Sequence, residues 1–162
     1  MRVAPTNDLK WMKYAFRLAC KAKDRGEVPV GAVVVDADQR LIGVGYNQTI
    51  ANSDPSAHAE VIAIRRAAKR LQQHRLTDCT LYVTLEPCTM CAGTLVQARV
   101  QRVVFATRDF KSGAAGSVCN VLSGHPFNHQ VQIDEGPLSQ ACRDLLRDFF
   151  RCCRTSGTDC LS

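Results

Sequence analysis

The sequence predicts an α/β fold of three layers, α/β/α, built around a mixed five-stranded sheet. Two observations predict it. Segments with apolar residues at helical spacing alternate with short apolar runs of strand length. The first two runs flank the turn-like Asp36-Ala37-Asp38-Gln39 and read as an antiparallel hairpin, whereas the later runs are separated by helix and should pair in parallel. A chain of 162 residues is most simply one domain, 1–162, with a tail from about residue 155 that need not be ordered.

In chain order, Asn7 or Asp8 is placed to cap a first helix, whose buried face is read from Leu9, Met12, Phe16, Ala19 and Cys20. Gly26 stops it. Gly31 to Val35 is a continuous apolar run, as expected of a strand covered on both faces, and Leu41 to Tyr46 returns beside it. A polar loop from Asn47 to Pro55 leads to a second helix opening at Ser56 to Glu60 and reaching about Leu71, with Val61, Ile64, Ala68 and Leu71 on one face. Arg65, Arg66, Lys69 and Arg70 fall on its wet side. Leu81 to Leu85 is the third strand. Pro87 suits the first turn of a third helix that carries Cys88 and Cys91 and runs to about Gln97. Arg102 to Thr107 is the fourth strand. A Gly-rich charged loop follows from Arg108 to Ser117, then a short helix near Val118 to Leu122 and a fifth strand from Gln130 to Asp134. Leu138, Cys142, Leu145, Phe149 and Cys152 mark the inner face of a closing helix.

Composition narrows the class. Apolar residues make up 46% and charged ones 22%, the balance of an ordinary globular protein. No apolar run approaches the roughly 20 residues of a membrane span, and Met1 to Asp8 has nothing like the apolar core of a signal peptide. A cytoplasmic protein without a membrane partner is expected. The net charge of +6 favours a polyanionic partner. Nine cysteines, an odd number, argue against a disulfide framework. Cys20 and Cys142 fall on apolar helix faces, while Cys152, Cys153 and Cys160 crowd the C-terminus as reduced bystanders, a second metal cluster or a redox pair.

The chemistry concentrates in two short stretches, Ala57-His58-Ala59-Glu60 and Glu86-Pro87-Cys88-Thr89-Met90-Cys91. One imidazole and two thiolates make three good zinc ligands, and three protein ligands leave a fourth position open, as catalytic zinc requires. Glu60 is the spare carboxylate where a proton shuttle is wanted. Residues two apart on an ideal helix point nearly opposite ways, so His58 and Glu60 serve one ion only if it lies off the helix end. Two helix N-termini aimed at one ion, at the C-terminal edge of the sheet, are therefore expected. The competing arrangement is a closed zinc knot with Cys79 or Cys119 as fourth ligand.

At these residues the chain resembles the zinc-dependent cytidine deaminase superfamily, whose base deaminases carry His-x-Glu and Pro-Cys-x-x-Cys. Within it the chain is similar to the bacterial tRNA-specific adenosine deaminases. That likeness runs through Val28-Pro29-Val30-Gly31-Ala32-Val33, Gly45-Tyr46-Asn47, Asp54 to Glu60, Leu81 to Cys88, Arg108-Asp109, Lys111, Gly113 to Ser117, Asn128-His129 and Asp148-Phe149-Phe150-Arg151. It covers roughly residues 10 to 154. The resemblance implies a cytidine deaminase-like fold and one zinc ion per subunit, on His58, Cys88, Cys91 and water. It implies attack of hydroxide on C6 of adenine with Glu60 as catalytic proton shuttle. The expected substrate is adenosine at position 34, the wobble position of a tRNA anticodon stem-loop, usually that of an arginine tRNA; no DNA substrate is expected. It implies a homodimer, a nucleotide held by Asn47, flanking nucleotides met by Asp109 and Lys111, and RNA backbone met by Arg154. Phe110 is bulkier than the family's usual residue, and Arg151 to Arg154 is a less basic tail. The zinc pattern by itself leaves two other readings open: a deaminase of a free base such as guanine or cytosine, and a non-catalytic zinc module docking on RNA.

Overall fold

The computed structural model describes residues 5–124 and 126–156; Cys160 and His125 lie outside them. Four helices, α1 (Pro5–Asp24), α2 (Ala59–Leu71), α3 (Thr89–Gln97) and α4 (Ser139–Ser156), surround five strands. The strands are β1 (Gly31–Val35), β2 (Leu41–Tyr46), β3 (Thr80–Leu85), β4 (Arg102–Thr107) and β5 (Gln132–Glu135). Their order is β2-β1-β3-β4-β5. β1 pairs antiparallel with both β2 and β3, and β3-β4 and β4-β5 pair in parallel. Four strands therefore share one direction, and β1 alone runs against it.

Strand alternation sorts the core into two layers. Ala32, Val34, Leu81, Val83, Val103 and Phe105 face α2 and α3. Val33, Val35, Tyr82, Val104 and Ala106 face α1 and α4. Two glycines of β2 set how closely α2 lies on the sheet. A Cβ at Gly43 would collide with the Ala63 carbonyl oxygen, and one at Gly45 with that of Ala59. The helix that opens at the candidate site thus rests directly on strand backbone.

Several boundaries differ from the sequence reading. α1 begins at Pro5, and Asp8, expected as a cap, reaches across the fold instead. The buried stripe of α1 is Trp11, Met12, Ala15, Ala19 and Ala22, while Leu9 is exposed. Small alanines win that face because the backbone of β1 packs against it at Gly31. On α2, Ala63 and Ala67 are buried deeper than Ala68 and Leu71, for the same reason. α2 starts at Ala59, not Ser56, because Asp54 captures the backbone and hydroxyl of Ser56 in a turn. No helix forms at 118–122; the Asn120 side chain accepts the N–H of Leu122 and of Ser123 and makes a turn there. β5 lies at Gln132–Glu135, later than 130–134, and the described residues of the segment that joins it to β4 form no helix. Cys152 is exposed on α4, outside the buried face it was assigned to.

One polar cluster ties the far end of the sheet together. The Arg102 guanidinium donates to both oxygens of Asp8 at 3.0 and 2.9 Å and to Asp134 at 2.5 Å, and the Tyr82 hydroxyl donates to Asp8 at 2.8 Å. Burial pushes the Asp8 carboxyl up, but Arg102 and Tyr82 together pull it further down, below its ordinary value. A depressed carboxyl contributes stability that is complete above its unfolded pKa and is lost as the pH falls through the folded one. Asp8→Asn is therefore expected to cost about 1–3 kcal/mol at neutral pH, as for a hydrogen bond to a charged group. In urea titrations the gap between wild type and variant should be constant above about pH 5 and close below about pH 4. A gap of equal size at pH 3 and pH 7 would contradict this origin.

Candidate metal centre and its surroundings

The four same-direction strands end on one edge. β2 delivers Asn47 there, β3 delivers Glu86 to Cys88, and β4 delivers Arg108 and Asp109. α2 and α3 both start at that edge. His58 is the N-cap of α2 and Cys88 the N-cap of α3, each with extended backbone (φ −74, ψ 153 and φ −74, ψ 174). Neither side chain caps its own helix. Cys88 is thus one residue outside the helical turn in which the sequence reading placed it, and Pro87 precedes α3 entirely.

This geometry solves the two-residue spacing of His58 and Glu60. Because His58 is not yet helical, its ring is free of the helical rotation and meets the two thiols. Nδ1 lies 3.7 Å from Cys88 Sγ and 3.5 Å from Cys91 Sγ. All three donor atoms fall within 4.8 Å of one another, and they are the one such group of His, Cys, Asp and Glu among the described residues. A tetrahedral ion with Zn–S and Zn–N bonds of ordinary length sets ligand-to-ligand edges of about 3.5–3.8 Å. Both nitrogen–sulfur distances match such an ion. Among the described residues no fourth thiol joins the group. Cys79 is buried just before β3, at the opposite end of the strand from Cys88, and Cys119 is exposed.

Glu60, in the first turn of α2, is buried beside the trio but is not a member of it. Burial is the main force pushing its carboxyl up, to about 7, and His58 opposes it. Hydrogen bonding to Cys88 raises His58 against the effect of burial. The Cys91 thiol donates to Cys88 and, despite burial, brings Cys88 down to about 4, while Cys91 itself is held far above the thiol range by Cys88 and by burial.

Asn47 is buried, and its Oδ1 accepts the Ala59 N–H at 2.9 Å. It therefore caps α2 from outside, in place of His58, and pins that helix start to the end of β2. Its side-chain nitrogen has no hydrogen-bond partner among the described residues. Asp109 turns its carboxylate onto its own loop, accepting from Lys111 N at 2.9 Å, Ser112 N at 3.2 Å and Ser112 Oγ at 2.5 Å. Lys111 and Arg154 are exposed, and no contact ties either to the trio among the described residues.

Two glutamates at this edge were given no role by the sequence reading. Glu27 is buried and accepts from Thr49 Oγ1, Ile50 N and Ala51 N. Glu86 is buried and accepts from Asp109 N, Ala115 N, Ser117 N and Ser117 Oγ. Burial pushes the Glu86 carboxyl up, but the Ser117 hydroxyl and the three amides outweigh it and hold it below its ordinary value. Glu86 carried a signal, since a carboxylate directly after the mostly apolar run Leu81 to Leu85 must find donors. Glu27, amid loop residues, carried none.

An open nitrogen–sulfur–sulfur trio beside a buried carboxylate that is not part of it, at the edge of an α/β sheet, marks the hydrolytic base deaminases. A family model for MafB19-like deaminases matches residues 6–154. The tRNA-specific adenosine deaminase of Haemophilus influenzae is 49% identical over 144 residues, 89% of this chain and 83% of that protein. A structure from studies of A-to-I editing by tRNA:A34 deaminases at the wobble position of transfer RNA superposes with a TM-score of 0.82 at 38% identity, over 85% of this chain and 99% of the other. A guanine deaminase from Nitrosomonas europaea superposes with a TM-score of 0.75 at 26% identity, over 93% of this chain and 88% of the other. The chain belongs to the MafB19-like deaminase family and, within it, to the tRNA-specific adenosine deaminases. It is an enzyme, with the cytidine deaminase-like fold.

The trio yields a direct test. Purified wild type is expected to carry about one zinc ion per chain, and Cys88→Ala close to none, by elemental analysis. Full zinc in Cys88→Ala would mean that the ion sits elsewhere.

Proposed function

We propose that the chain, acting as one domain over 1–162, hydrolyses adenosine to inosine at position 34 of a tRNA anticodon, releasing ammonia. One observation carries the chemistry: three metal-type ligands converge beside a buried carboxylate that is not one of them. The RNA reading is supported by the 49% identity with a tRNA-specific adenosine deaminase and by the net charge of +6.

His58 Nδ1, Cys88 Sγ and Cys91 Sγ would hold zinc. Zinc bound there would supply an acidified water, its pKa about 7. Glu60 takes a proton from the attacking water, passes it to N1 of adenine as C6 becomes tetrahedral, and then serves the departing ammonia. Water is consumed and ammonia released, so the sum balances with no further reactant. Asn47, with Oδ1 engaged by α2, offers its side-chain nitrogen to the nucleotide. Backbone N–H groups bonded to the Asp109 carboxylate fix the loop that presents Lys111 to flanking phosphates, and Arg154 meets the backbone further out. The reading extends to an arginine tRNA, a homodimer, a cytoplasmic setting and no DNA substrate. No helix among the described residues is long and apolar enough to cross a membrane.

The guanine deaminase likeness favours one second reading, deamination of free guanine. An anticodon stem-loop with adenosine at the wobble position separates the two: inosine and ammonia are expected from the stem-loop, and conversion of guanine alone would reverse the order. Glu60→Gln is expected to keep its zinc and lose at least about 10²–10⁴-fold in turnover. Normal turnover in that variant would remove Glu60 from the proton path.

A further inference from the structure

We propose that Glu86 is a positioning residue: working from inside the protein, it clasps both ends of the 109–117 loop so that the loop is preformed to receive RNA beside the target base. The proposal rests on the substrate reading above and deepens it.

The carboxylate is 2% exposed, yet both of its oxygens are engaged by one loop. Oε2 accepts the Asp109 N–H at 3.0 Å and the Ser117 hydroxyl, and Oε1 accepts the N–H groups of Ala115 and Ser117, each at 3.0 Å. Its donors thus come from the first and last turns of the loop. Between them the chain is pressed onto the segment that carries the thiols: Gly113 bridges Cys88, and Ala114 N donates to Pro87 O at 2.8 Å. There is no slack in this seat, since a Cβ at Gly113 would collide with the Asp109 carbonyl oxygen and the Glu86 carboxylate. None of the described hydrogen bonds of Glu86 goes to His58, Cys88 or Cys91.

What the clasp presents is the part of the loop with the greatest reach. Phe110 is 75% exposed, and Lys111 and Ser112 are exposed beside it. A short loop displaying an aromatic ring and a cation suits base stacking and phosphate contact, but only if it is ordered before binding. Glu86 supplies that order at no cost to the metal trio, and so it acts on substrate affinity, through other residues, and not on the chemical step.

Glu86→Gln tests this. In the orientation that keeps most bonds, the amide oxygen still accepts from Ala115 and Ser117, while the amide nitrogen faces the Asp109 N–H, donor against donor. The Asp109 end of the loop is then released. Loss of one charge-assisted hydrogen bond is expected to raise KM for the stem-loop by about tenfold, with kcat and zinc content within about twofold of wild type. Amide hydrogen exchange should quicken within 109–117 alone. Faster loop exchange with KM unchanged, or falling kcat and zinc with KM unchanged, would overturn the proposal. Should Glu86→Gln fail to fold, Ser117→Ala removes one donor from the same carboxylate and the 3.3 Å acceptor of Arg108, which stays held by Glu135; a KM raised about threefold supports the clasp and an unchanged KM overturns it. A wild type that ignores the stem-loop but deaminates guanine would sink the substrate reading instead, and KM for guanine in the same variants would then decide on Glu86.

Discussion

The arrangement depends on one constraint: two helices must begin at the same point in space, each with its N-cap side chain turned away from its own backbone. An N-cap residue ordinarily spends its side chain on an orphan N–H of the first turn. His58 and Cys88 do not. The extended backbone of an N-cap aims its side chain beyond the helix axis, and with two such ends side by side an imidazole and a thiol meet. The third donor, Cys91, completes the group from inside the first turn of α3. Both helix dipoles present their positive ends here, which favours thiolate and carboxylate over their protonated forms. The strand order follows from the same need. β2 and β3 share a direction with β1 reversed between them, so α2 and α3 leave the sheet from one edge on one face. Gly43 and Gly45 then let α2 lie low enough for the ends to meet.

Around the trio the protein invests buried charge in loops. Glu27 and Glu86 are nearly inaccessible, and a carboxylate so placed is tolerable only when its oxygens are saturated with donors. Each is matched largely by backbone amides of a loop bordering the site, 49–51 for Glu27 and 109–117 for Glu86. Loops otherwise sample many shapes, and their ordering would have to come out of binding energy. Here the ordering is part of folding. The far end of the sheet uses the opposite sign of the same device, one guanidinium, Arg102, gathering Asp8 and Asp134.

Much of this was legible in the residues. The order of the four helices and five strands, the hairpin and the parallel β3-β4 pair follow from apolar periodicity, and the donor trio from ligand chemistry; β4 and β5 pair in parallel as expected, but without the helix that was the reason to expect it. What could not be read were outcomes of competition between local and distant partners. Asp8 looked like a cap, and only the folded chain brings Arg102 within reach of it. Ser56 looked like a helix start, but the Asp54 side chain holds it in a turn. Asn120 diverts an apparent helix in the same way. Leu9 looked buried because it is large and apolar, whereas the close approach of β1 to α1 gives that face to alanine. Asn47 shows the limit from the other side. A polar residue at a strand end is ordinarily a turn former, and nothing in its neighbours says that it caps a helix twelve residues later.

The trio and Glu60 determine a reaction type but not its substrate. The same fold matches both a tRNA:A34 deaminase and a guanine deaminase, so the fold alone does not choose the substrate, and discrimination has to come from what surrounds the trio. The loops after β2 and β4 leave the sheet at the edge where α2 and α3 begin. A free base needs a closed pocket that satisfies every polar edge of one small molecule. A base delivered by an RNA loop arrives with phosphates and neighbours attached, and most of its binding energy is gained outside the pocket. The 109–117 loop has the features of the second case: pinned from within at both ends, open at its tip, and carrying an exposed aromatic ring next to an exposed lysine. Such a surface is what the proposed RNA substrate would use, and a free base would leave it unoccupied.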